Sequence, residues 1–137
     1  MNGDENNPVL FTTDGMDRGA AGLWDGIKAT GTNAKTTLNF VKIEYAQYGL
    51  SLKNVEGNIE HCMIKNSDFG IYCTHESNVN VNTSTFTGNA TNIHIEGLSN
   101  AHIDGNMLMG DNEPQSEDIG IYTNNSYTLQ KIISAKI

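Results

Sequence analysis

The chain has 137 residues, with sixteen acids against eight basic side chains and a net charge of −8 at pH 7. That length fits one domain, and the charge excludes nucleic acid and anionic membrane surfaces as partners, because both require clustered Lys and Arg. Two cysteines exclude a disulfide scaffold, and no apolar run reaches the roughly eighteen residues of a membrane span, so membrane insertion is not expected.

Eighteen Asn, fourteen Gly and thirteen Thr point away from helix and toward strands and turns. Residues 1–22 read as the end of a preceding coil followed by a polar loop, Asp14-Gly-Met-Asp-Arg-Gly-Ala-Ala-Gly22. From residue 23 onward short alternating runs recur: Leu38–Ile43, Ile59–Ile64 and Val81–Phe86. A small residue followed by an aliphatic one returns at Gly26-Ile27, Gly49-Leu50, Gly70-Ile71, Asn92-Ile93 and Gly120-Ile121, with spacings of 23, 21, 22 and 28. A second register keeps step with it. Leu38, Ile59, Val81 and Ile103 each stand five residues before Ile43, Ile64, Phe86 and Leu108.

Two registers advancing together by about 22 residues imply a solenoid. The leucine-rich consensus is missing, whereas a right-handed parallel β-helix of about five coils fits. Its coils stack at about 4.8 Å, so equivalent positions form ladders. The expected inward columns are Ile27, Leu50, Ile71, Ile93, Ile121, then Ala29, Leu52, Cys73, Ile95, Thr123, then Leu38, Ile59, Val81, Ile103. Val41, Cys62, Ser84 and Asn106 take inward corners, where short polar groups can bond the neighbouring turn's backbone. The fold class is therefore all-β, with residues 1–137 forming one domain whose repeat coils occupy 23–137.

Particular segments resemble bacterial surface proteins built on a pectate-lyase-like β-helix repeat. They are Asn7-Pro-Val-Leu-Phe-Thr-Thr13, Leu23-Trp-Asp-Gly-Ile27, Phe40-Val-Lys-Ile-Glu-Tyr-Ala46, and Ile59-Glu-His-Cys-Met-Ile-Lys-Asn66 followed by Phe69-Gly-Ile71. The resemblance implies the fold over residues 7–108 but not an activity, since this fold carries lyases, hydrolases, adhesins and scaffolds. Of the polygalacturonase motifs it would imply, only Asn66-Ser-Asp68 is present. A pectate lyase would need a catalytic Arg beside calcium-binding acids, and the single arginine, Arg18, lies in the early loop.

Other chemistry is weighed residue by residue. Asp14 and Asp17 share one loop, and Asp111, Glu113, Glu117 and Asp118 crowd another, without the spacing of an EF-hand or a calcium β-roll. Solvated loops are expected there. Glu60 and Asp104 fall in the outward column Asn39, Glu60, Asn82, Asp104, two coils or about 9.5 Å apart. That is the far edge of inverting glycosidase geometry, and equally what unrelated acids on a solvent face give. The histidines His61, His75, His94 and His102 have no zinc spacing, and Cys62 and Cys73 face inward, so a Glu60–His61–Cys62 triad is not expected. No metal or cofactor is called for. Trp24 should pack the preceding loop onto the first coil. The sequons at Asn82, Asn89 and Asn124 arise easily in a chain this rich in Asn and Thr.

One outward column is aromatic: Lys28, Ser51, Tyr72, His94, Tyr122. Its rings form a strip able to lie against sugars or a partner protein, so Tyr72, His94 and Tyr122 are the candidate binding residues. Ordinary cross-strand stacking would produce the same column. The expected function is a non-catalytic extracellular or cell-surface module that presents this surface to a polysaccharide or a cell-surface protein. The alternative is a piece of a polysaccharide-active lyase or hydrolase whose catalytic residues lie partly outside the chain. An ice-binding solenoid would need Thr-x-Thr on every coil, and Thr83 with Thr85 supplies it on one. The open repeat at either end leads to two further expectations: a piece cut from a longer solenoid, and end-to-end self-association through unpaired strand edges.

Overall fold

A computed structural model describes residues 1–13, 20–109, 119–123 and 131–133. The strands are β1 (Val9–Phe11), β2 (Ile27–Asn39), β3 (Val41–Glu44), β4 (Tyr48–Glu60), β5 (Met63–Lys65), β6 (Phe69–Thr74) and β7 (Asn78–Asn82). There follow β8 (Thr85–Thr87), β9 (Thr91–Ile95), β10 (Asn100–Asp104), β11 (Met107–Met109), β12 (Ile119–Thr123) and β13 (Lys131–Ile133). Among the described residues every strand pairing is parallel.

The strands wind into a solenoid with three faces. The first face is the five-stranded sheet β1-β3-β5-β8-β11. β2 and β4 are long enough to serve the other two, turning midway, with the register of β2 shifting between Thr30 and Ala34. The second face stacks the early halves of β2 and β4 with β6, β9 and β12. The third stacks their later halves with β7, β10 and β13. Ile27, Leu50, Ile71, Ile93 and Ile121 are successive register partners, so five strands on a face enclose about four full turns.

The core is a column about one side chain wide, filled from all three faces. Leu38, Ile59, Val81 and Ile103 line it from the third face, Leu50, Ile71 and Ile93 from the second, and Ile43, Ile64, Phe86 and Leu108 from the first, all with no exposed area. Each such side chain contributes roughly 1.5–3 kcal/mol by leaving water. The glycines that mark strand starts owe their identity to coil spacing. A Cβ at Gly49 would stand 2.6 Å from the Gly70 carbonyl oxygen, and one at Gly70 would meet that of Asn92.

The corners differ from simple alternation. Leu38–Ile43, Ile59–Ile64 and Val81–Phe86 read as single strands in the sequence, yet each is two strands joined by one or two residues, the first of them left-handed. The left-handed residues are Phe40 (φ 50°), His61 (51°) and Thr83 (47°), with Gly105 (63°) next in the column. One such residue turns the chain from the third face to the first while apolar residues resume inside, so the hydrophobic pattern hides the bend.

Polar groups inside the corners hold successive coils together. The Cys62 amide donates to Ser84 Oγ (3.1 Å), the Ser84 amide to Asn106 Oδ1 (2.8 Å), and Asn106 Nδ2 to the Val81 carbonyl (2.7 Å). This is the role expected of the column. A second corner repeats it, with the Ala46 amide on Ser67 Oγ and the Ser67 amide on Asn89 Oδ1. A third uses Val55, Ser77 and Ser99. A buried amide without such an acceptor would cost about 1–3 kcal/mol.

Candidate functional site

Two outer faces carry side chains that could meet a partner. On the second face, register places Ser51, Tyr72, His94 and Tyr122 in one column, as the sequence indicates. Tyr72 stacks on His94 with ring centroids 4.6 Å apart and planes 22° apart, and His94 stacks on Tyr122 at 4.6 Å and 28°. Tyr48 and Phe69 join them. They stack on each other at 5.2 Å and meet Tyr72 edge-on at 5.0 and 5.2 Å.

Alternation alone misses these two rings. Gly49 and Leu50 are both buried, as are Gly70 and Ile71. The inside-outside pattern therefore slips by one, bringing Tyr48 and Phe69 to the outer side three residues before Ser51 and Tyr72. The repeated Gly-aliphatic pair was the available signal.

The strip is internally satisfied. Tyr72 Oη donates to Glu96 Oε1 at 2.9 Å, and His94 Nε2 lies 3.2 Å from Glu96 Oε2. Burial, then the hydrogen bond to Glu96, pushes the Tyr72 phenol up to about 12. Because the rings stack along the solenoid axis, His94 gives both faces to its neighbours and presents an edge outward. Tyr122, 39 % exposed, is the most accessible described ring of the strip.

The third face is different in kind. β7 turns Val79 and Val81 inward and Asn78, Asn80 and Asn82 outward. Glu56, Asn58 and Glu60 of β4 lie opposite them on one side, and Asn100, His102 and Asp104 of β10 on the other. The result is a three-by-three grid of polar side chains, spaced about 4.8 Å between strands and about 6.6 Å along them. Among the described residues, the side-chain amides of Asn58, Asn78, Asn80 and Asn82 make no hydrogen bond. Glu56 is paired with Lys35 at 3.0 Å. At the border, the Phe40 and His61 rings stack at 4.7 Å and 7°, and His61 Nδ1 lies 3.2 Å from Asn39 Oδ1.

Most of the other sequence candidates resolve into structural parts. Glu60 and Asp104 do share a column, with Asn82 between them. Asn66-Ser67-Asp68, the polygalacturonase-like tripeptide, is a corner: Asn66 has φ 53° and Ser67 is fully buried, accepting from Ala46. Cys62 donates to the Glu60 carbonyl, and burial raises its thiol. Burial takes Cys73 to about 12, so neither sulfur is a ready nucleophile. Trp24 Nε1 donates to the Glu44 carbonyl at 2.8 Å, and Trp24 packs on the core of the first coils. The sequon residue Asn89 is fully buried within the second corner.

The described residues contain no group of three or more metal-ligating side chains and no helix long and apolar enough to cross a membrane. The acidic-loop residues Asp14, Asp17, Asp111, Glu113, Glu117 and Asp118 lie outside the described residues, as do Arg18 and Asn124.

No curated protein and no solved structure matches the chain significantly. A family model does. The right-handed β-helix region matches residues 23–133, the span over which the register columns run. With its parallel faces, inward ladders and corner hydrogen bonds, the chain belongs to the right-handed β-helix family.

Proposed function

We propose that the chain is a non-catalytic module of an extracellular or cell-surface protein, of the pectate-lyase-like bacterial surface type. It holds an extended carbohydrate or protein partner against its outer faces, with Tyr72, His94 and Tyr122 in the contact. The observation that carries this reading is the preorganised ring strip. Five aromatic side chains are fixed by one another and by Glu96 on a rigid sheet, so a partner meets them without first ordering them. Tyr122 makes the main contact, with the edges of Tyr72 and His94 beside it.

Glycan and protein arrays probed with the wild-type chain and with Tyr122→Ala test this. A bound partner whose affinity falls about fivefold or more in the variant supports it, on the scale of one aromatic contact. Binding unchanged in both Tyr122→Ala and Tyr72→Ala would overturn the strip as a contact.

A further inference from the structure

We infer that the third face is itself a glycan-binding surface, selecting uncharged, hydroxyl-rich polymers over uronate polymers. This rests on the reading of the module as carbohydrate-binding, but not on the aromatic strip.

The grid supplies the chemistry. Asn78, Asn80 and Asn82 of one strand, with Asn58 beside them, point outward in fixed register. Each amide offers both a donor and an acceptor, so it can meet a sugar hydroxyl in either sense. Inside the corners the buried amides are engaged: Asn89 and Asn106 each bond two or more groups. The outer amides of the grid are bonded to no described side chain and stand on a rigid sheet, so binding orders only short side chains.

The border of the grid points the same way. Phe40, His61 and Thr83 hold positive φ values that aromatic and β-branched residues disfavour, and the column reaches glycine only at Gly105. These positions place a stacked Phe40–His61 pair beside Asn39 and Glu60, an aromatic contact at the edge of the polar sheet.

Charge sets the selectivity. Lys35 is committed to Glu56, while Glu60 and Asp104 form no ion pair with a described residue. A polyuronate laid along the grid would set its carboxylates against these two, in a chain that already carries −8. A neutral polymer meets no such opposition.

The test is affinity electrophoresis of the wild-type chain in gels containing xylan, mannan or β-glucan (neutral), polygalacturonate or alginate (anionic), and chitosan (cationic). The wild type should be retarded by a neutral polymer and not by the uronates. Asn58→Ala/Asn80→Ala should raise the Kd at least about tenfold, the loss of two hydrogen bonds, with an unchanged melting curve. Glu60→Gln/Asp104→Asn should admit a uronate polymer. Neutral binding lost in Tyr122→Ala but kept in Asn58→Ala/Asn80→Ala would overturn this inference while leaving the module reading intact. Preferred retardation by a uronate, or by chitosan alone, would also overturn it. No retardation by any polymer would remove the carbohydrate reading itself.

Discussion

The second and third faces rest on the same kind of ladder, Ile71 and Ile93 under one, Val81 and Ile103 under the other, all fully buried. Their outer side chains behave in opposite ways. On the second face Tyr72, His94 and Tyr122 stack on one another and share Glu96. On the third, Asn58 and Asn80 are register partners just as strictly, and so are Asn78 and Asn100, without bonding each other. Register alone therefore does not decide what an outer column does. Ring faces are satisfied by the next coil, and short amides about 4.8 Å apart are left for water or a ligand.

The sharpest way to break this contrast is to compare asparagines inside and outside the solenoid. Asn89→Ala removes the acceptor for the Ser67 amide and the donors to Ile64 and Asn92, all in a buried corner. It should cost about 3 kcal/mol, since two or more buried groups lose partners. Asn80→Ala, outward and exposed, should stay within about 0.5 kcal/mol. Urea denaturation measures both. Comparable losses would mean that the outer amides hold the fold together after all.

A smaller effect separates the two faces directly. His94 occupies the centre of the strip, as Asn80 occupies the centre of the grid. His94→Ala gives up two stacked rings, the edge contact to Phe69 at 5.5 Å and the contact with Glu96. A loss of about 2 kcal/mol is expected from pairs of this kind. A loss near that of Asn80→Ala would show that the strip contributes little beyond the core beneath it.

The inward columns were legible because aliphatic residues recur at 21 to 23 residues, and only a stacked coil makes that spacing meaningful. The corner column Val41, Cys62, Ser84, Asn106 was legible for the same reason. The corners through Ser67 and Ser77 were not, because a serine that accepts an amide from the next coil looks like any turn serine. Phe40, His61 and Thr83 concealed their bends, since nothing in an aromatic or β-branched residue announces positive φ. Two of the five rings, Tyr48 and Phe69, were hidden by the slip at Gly49 and Gly70. Of the amide grid the sequence showed only one outward column, Asn39, Glu60, Asn82, Asp104. The availability of its amides was not legible, because that depends on which side chains find partners.

Tyr72 permits the finest test of how tightly the strip is held. Its phenol is raised from the ordinary value near 10 to about 12, first by burial and then by donating to Glu96, both of which favour the neutral form. In the unfolded chain the same phenol loses its proton from about pH 10 upward. The unfolded state therefore releases the proton first, and stability present below pH 10 declines as the pH rises through 10 toward 12. Phe at this position keeps the ring stack on His94 and removes the proton. The difference in urea midpoint between wild type and Tyr72→Phe should thus shift steadily in favour of the variant between pH 9.5 and about pH 11.5. A difference independent of pH would mean that the phenol is neither kept from water nor bonded to Glu96 in solution, and that the strip is held by its ring contacts alone.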